Sequence, residues 1–199
     1  MADWTTSKTW SVGDTVPAAD MNTYLRDNTQ YLYDNAVVLL DSYEVTTTNV
    51  GTITFDSISG DYTSLELRVR AAGGTSATTA YVNIRANNDS STDSYRIVKW
   101  HNGGTNGPQN HSSFVYLMEL TRDGYTPQAF SAFTCRIHGY SDTDCYTTLE
   151  GTYLTAYPVN IIGQLFTGYY LSYDNVTSLE IGVAGNFYPG SKISLYGYR

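Results

Sequence analysis

From Tyr43 onward the chain repeats one pattern: short runs in which apolar and polar residues alternate, broken by turns rich in Gly, Asn and Asp. A two-residue period places every second side chain on the same face of an extended strand, so each run carries one apolar and one polar face. Leu65, Leu67 and Val69 alternate with Glu66, Arg68 and Arg70, and residues 51–55, 81–85, 114–120 and 133–137 behave alike. Residues 146–153, 161–166, 178–183 and 192–198 complete the set, and Gly73, Gly74, Asn87, Asn88, Gly103, Gly104, Asp123 and Gly124 mark turns between runs. About nine short strands of this kind predict a mainly β fold, an antiparallel β-sandwich with a jelly roll as the leading topology. Leu65, Leu67, Val69, Val82, Ile84, Val115, Leu117, Ile181, Val183 and Leu195 are the expected inward residues. Residues 101–113 are polar and rich in Gly and Asn, and read as a long exposed loop.

Composition agrees. Aromatic residues make up 14% of the chain, and 19 of them are Tyr, which suits half-buried strands and interfaces. Net charge is −8 and only Lys8, Lys99 and Lys192 are lysines, a balance that repels phosphate backbones and argues against nucleic-acid binding. No stretch reaches the length needed to cross a membrane as a helix, and Met1-Ala2-Asp3-Trp4 lacks the regions of a signal peptide, so synthesis in a cytosol without membrane insertion is expected.

The N-terminal part divides in two. Residues 1–17 read as an extended docking arm, with Trp4 and Trp10 set among polar residues and a turn at Gly13 and Asp14. Residues 18–42 read as an oligomerising helix, entered after Pro17 with Asp20 near its positive end. Met21, Leu25, Asn28, Leu32, Asn35 and Leu39 follow a 4-3-4-3 spacing, a heptad seam with amides at two positions. Such a helix either packs on its own β domain or bundles with copies of itself around Asn28 and Asn35. Residues 43–199 form the β domain.

Signals for chemistry are sparse. His101, His111 and His138 lack metal-ligand spacing, and no nucleophile elbow, phosphate loop or dinucleotide fingerprint occurs. Asp89, Asp93, Asp142 and Asp144 flank turns, where Asp bonds nearby amides. The expectation is no catalytic residue, no metal and no cofactor. Cys135 and Cys145 flank a presumed hairpin turn at 139–142. A disulfide across it is conceivable, and two reduced, buried thiols are the expected state in a cytosol. Tyr169, Tyr170 and Tyr173, and Tyr140 with Tyr146, either fill strand faces or form platforms for a sugar ring.

Two segments carry a resemblance. Trp10, Gly13, Asp14, Ala18, Ala19, Asn22, Leu25, Arg26, Asp27 and Asn28 stand where a segment common at the start of bacteriophage virion proteins has them, with Met21 in place of the commoner Leu. Ile53, Phe55, Ile58, Tyr62, Leu65 and Leu67 resemble a strand–turn–strand of small phage tail and fibre-associated β proteins. Asn88, Asp89 and Tyr95, and the closing Phe187, Gly190, Ser191, Leu195, Tyr196 and Gly197, resemble later parts of the same group. The resemblance implies an accessory structural protein of a virion, assembled in the host cytoplasm, either fibre- or tail-associated or capsid-decorating. Its expected partners are itself, as a homotrimer, and other phage capsid or tail proteins. The other reading is a receptor-binding tip for a host surface glycan or protein.

Overall fold

The computed structural model describes residues 5–6, 8–34, 36–73, 80–91, 94–101, 104–111, 115–120, 130–157 and 160–199. Trp4 and Asn35 lie outside these residues. An arm leads into a helix that is α over Ala18–Met21, π over Asn22–Asp27 and α again over Asn28–Asp34. Twelve strands follow among the described residues: β1 Val37–Glu44, β2 Thr52–Phe55, β3 Ser64–Ala71, β4 Ala80–Ala86, β5 Tyr95–His101, β6 Gly104–His111, β7 Val115–Leu120, β8 Ser131–His138, β9 Thr147–Tyr157, β10 Asn160–Tyr170, β11 Leu179–Val183 and β12 Lys192–Tyr198.

All pairings are antiparallel and form two sheets. The larger has the order β1-β12-β3-β8-β9-β10-β5-β6, and the smaller β2-β11-β4-β7. Leu65, Leu67 and Val69 of β3 join Phe133, Cys135 and Ile137 of β8 and Ile193 and Leu195 of β12 in one core with Ile53, Val82, Ile84, Val115 and Ile181 of the smaller sheet. Each such side chain contributes about 1.5–3 kcal/mol by leaving water. Every expected inward residue with a described side chain is buried; the side chain of Leu117 lies outside the described set.

Two segments differ from the sequence reading. The helix stops at Asp34, and residues 37–42, expected to continue it, belong to β1 and pair with β12. Val37 and Val38 are β-branched and stiff, so they favour the strand, and Leu40 packs against the core. Of residues 101–113, read as a loop, His101 ends β5 and Gly104–His111 form β6; the two strands pair as a hairpin in which His101 stands opposite Gly104. β6 carries no apolar residue because it is an edge strand, and its Pro108 falls where the register shifts, a place that tolerates a missing amide donor.

Loops at one end of the sheets are tied by polar side chains, one buried and one half-buried. The hydroxyl of fully buried Tyr140 donates to the Ser59 carbonyl at 2.5 Å and accepts from the Tyr62 amide at 3.2 Å. Asn87, at φ +51°, accepts from the amides of Thr177 and Ser178 and donates to the Asn175 carbonyl.

Close approach between strands requires glycine at position 151. A Cβ at Gly151, opposite Cys135, would collide with the Thr134 carbonyl oxygen and come within 2.7 Å of the Phe166 ring. Gly151→Ala is therefore expected to destabilise the fold by about 3 kcal/mol, at the upper end of overpacking costs. Urea denaturation checks this; a loss below about 0.5 kcal/mol would show that β8 and β9 are not packed so tightly.

Candidate interaction surfaces

The arm folds back along the helix in the opposite direction. The Asn28 side chain grips the backbone of Thr5 at both ends, accepting from its amide at 2.9 Å and donating to its carbonyl at 3.0 Å. Lys8 pairs with Asp20 at 2.7 Å and sits 4.5 Å above the Trp10 ring. Trp10 meets Tyr24 edge-on, with ring centroids 6.5 Å apart. The turn between arm and helix uses Gly13 at φ +97°, and Asp14 accepts from the Ser11 amide at 2.7 Å. Trp10, Gly13, Asp14, Asp20 and Asn28 thus act together in folding arm onto helix. The sequence pattern held these residues, but nothing in their spacing revealed that Thr5 is the partner of Asn28.

This corrects the role read for Asn28. It is 8% exposed and spends its amide within the chain, rather than facing an axis. Leu39 is also removed from a helical seam, since it stands on β1 opposite Tyr196. Met21, Leu25 and Leu32 remain on the helix with their side chains outward; Leu25 is 56% and Leu32 59% exposed. The helix makes no extensive contact with either sheet among the described residues. Its end touches the β domain through Arg199, whose guanidinium lies 3.8 Å from the Tyr33 ring and whose amide donates to the Ala36 carbonyl at 3.4 Å. Exposed apolar side chains continue from the helix onto β1 as Tyr33, Val37 and Leu39.

The second surface is the outer face of the larger sheet. Antiparallel register sets its side chains in rows. One row runs Lys192, Arg70, Ala132, Leu154; the next Ser194, Arg68, Thr134, Thr152, Leu165; the third Tyr196, Glu66, Arg136, Glu150. Glu66 is the hub of the third row. Only 8% exposed, it accepts from Arg68 Nε at 2.5 Å, from the Tyr198 hydroxyl at 2.7 Å and from Arg136 Nε at 3.4 Å. Burial alone would raise its pKa; the hydrogen bonds from Arg68 and Tyr198 and the charges of Arg68 and Arg136 outweigh burial and hold it below the usual carboxylate value. Arg68 also lies over the Tyr196 ring and Arg136 over that of Tyr198, at 4.3 and 4.7 Å. His138 and Glu150 stand 3.1 Å apart.

The tyrosines read as ligand-facing separate. Tyr170 is 3% exposed and stacks on Tyr95 at 5.0 Å, so it is a core residue and not a platform. Tyr140 is likewise buried. Tyr169 is exposed on the outer face, beside Thr148. Tyr173 is exposed and stacked on exposed Tyr146 at 4.8 Å. The cysteines are both free, Cys135 buried and Cys145 exposed, which corrects the expectation of two buried thiols. Cys145 donates to the Asp142 carboxylate at 2.9 Å, and that carboxylate raises the pKa of the thiol. Among the described residues, no group of three or more His, Cys, Asp or Glu could hold a metal ion. No family model matches the chain, and neither do curated proteins or solved structures.

Two outcomes follow from these contacts. Asn28→Ala removes both bonds to Thr5, so trypsin should cut after Lys8 several-fold faster while the β domain melts as before; an unchanged cleavage rate would mean the arm is held by other contacts. Because the pKa of Glu66 is lowered on folding, its stabilisation is complete above its ordinary value near 4.5 and is lost as pH falls through the lowered value. Glu66→Gln should therefore flatten the fall in stability below about pH 4.5, and parallel curves for the two proteins in acid urea melts would disprove the coupling.

Proposed function

We propose that this chain is a non-enzymatic structural component of a bacteriophage particle that assembles as a homotrimer through its N-terminal helix. The observation that carries the assembly is a short helix that leaves Met21, Leu25 and Leu32 outward and makes no extensive contact with either sheet among the described residues. A helix of this length is marginal alone, and its apolar residues gain stability when covered. Virion membership rests on the resemblance of residues 10–32. The contacts made by Gly13, Asp14, Asp20 and Asn28 give those residues a shared task, folding the arm onto the helix. Trp10, half-covered by that packing, and the segment preceding it are the parts offered to capsid or tail proteins. Three-fold symmetry is chosen by analogy with capsid sites and fibres.

The β domain is read as a jelly-roll sandwich. β1, β12, β3 and β8 form one four-stranded half, and β2, β11, β4 and β7 the other, with the chain crossing between them as two Greek keys require. The hairpins β5–β6 and β9–β10 are then insertions that widen the first half. Such a domain displays loops and one broad sheet face outward, which suits decoration of a particle.

Light scattering of the purified chain should give 66 kDa, three times 22.0 kDa. Leu25→Glu with Leu32→Glu should give a folded 22.0 kDa monomer. A wild-type monomer at micromolar concentration would refute the assembly, and absence of the chain from purified particles would refute the virion role.

A further inference from the structure

The outer face of the larger sheet is not flat. Ala132, Thr134 and Thr152 are small, and they lie between the long side chains of Arg68, Arg70 and Lys192 on one side and Leu154 and Leu165 on the other. The result is an open trough of about 730 Å³. A second depression of about 430 Å³ shares Thr134 and Thr152 with it and extends toward Arg136 and Leu165. Together they cross β12, β3, β8, β9 and β10, a span of ~19 Å at the usual strand spacing.

The charges along this trough are not equally satisfied. In the third row, Glu66 answers both Arg68 and Arg136. In the first row, Lys192 and Arg70 stand directly opposite one another, like charges that destabilise a cross-strand pair. Neither lies within ion-pair distance of a carboxylate among the described residues. Arg70 is held in place by the Phe130 ring, 3.9 Å from its guanidinium, and donates to the Gly190 carbonyl at 3.2 Å. Glu44 faces Lys192 from β1 and forms the acidic rim of the trough. In a chain of net charge −8, two adjacent cations with no carboxylate within 4.0 Å among the described residues mark a local excess of positive charge. An anion placed between them removes the repulsion and gains bidentate bonding from the guanidinium.

The rest of the lining selects the kind of anion. The Thr134 and Thr152 hydroxyls lie 3.4 Å apart on the floor and present donors and acceptors to a polyol. Leu154, half-exposed at the rim, offers apolar surface to the C–H face of a ring. An acidic peptide would meet the same two cations, but the trough, lying across the middle of the sheet, offers its backbone no free strand edge. We propose that the trough binds an acidic saccharide, whose carboxylate sits between Arg70 and Lys192 and whose hydroxyls meet Thr134 and Thr152. This goes beyond assembly through the helix and does not depend on it, since a monomer presents the same trough.

Calorimetric titration of the full chain tests it, with tetragalacturonate and sialyllactose as acidic probes, maltotetraose as the neutral one and a tetraglutamate peptide as the acidic non-sugar. At least one acidic sugar should bind, with affinity that falls as salt rises. Arg70→Gln with Lys192→Gln should weaken it by about tenfold or more, and Lys192→Gln alone by less. Lys8→Gln removes one cation from the arm and should leave binding unchanged. No binding of either acidic sugar, equal loss in Lys8→Gln, or equal binding of tetraglutamate or maltotetraose overturns the proposal. Light scattering of the same samples reports the oligomer separately, so failure of the trimer and failure of the trough are told apart.

Discussion

The register of β3 between β12 and β8 is the constraint from which most of the structure follows. Leu67 stands opposite Leu195 on one side and Cys135 on the other, while Arg68 faces Ser194 and Thr134. A slip of one residue on either side would turn Glu66, Arg68 and Arg70 toward the core. Burying three charges without partners is far more costly than any gain such a slip offers. The apolar face therefore fixes the polar one. The core beneath the sheet and the rows of charge above it are two results of one pairing, and the Glu66 network locks the outer side of a strand whose inner side is already set.

Where alternation was clean, the sequence was readable. Leu65, Leu67, Val69, Val82, Ile84, Ile181 and Leu195 announce their direction because each is flanked by polar residues or lies in a strand with one wet face. The pattern failed where two periods fit the same residues. Val37, Val38, Leu39 and Leu40 suit a helix seam and a strand equally, and what decides is the edge of β12, distant in sequence and waiting for a partner. β6 was hidden for another reason: an edge strand is held by backbone bonds that leave no apolar signature, whereas the neighbouring β5 buries Tyr95 and Ile97 in the core. The alternatives for Tyr170 stayed open in the sequence because a Tyr–Tyr pair looks the same on a wet face and in a core; its stacking partner Tyr95 lies across a pairing that spacing could not foresee. The trough was invisible for the same reason. Arg70 and Lys192 are more than a hundred residues apart and meet only through register.

The chain is organised as two unequal units joined at residue 36. The β domain has a continuous core and its own loop ties. The N-terminal unit is small and, among the described residues, has little apolar interior: an arm, a turn and a short helix held by the Asn28 amide, the Lys8–Asp20 ion pair and the contacts of Trp10 with Lys8 and Tyr24. Its helix is interrupted by a π segment at Asn22–Asp27, which breaks the regular spacing from Met21 to Leu32. Contacts made by its exposed side chains therefore cannot follow a straight heptad line.

The grip of Asn28 on Thr5 has a particular chemistry. A carboxamide points its carbonyl and one of its two N–H groups the same way, as the N–H and C=O of a single strand residue point toward a neighbouring strand. By meeting Thr5 at both its amide and its carbonyl, Asn28 behaves as a single rung of β-ladder supplied by a side chain. Such a rung reads main chain and ignores side-chain identity. Nineteen of the twenty residues could occupy position 5 and still be held; proline alone, lacking the N–H, could not. The arm is thus fastened at a point where its own sequence is free to drift, leaving the residues around that point open to change as whatever they touch changes.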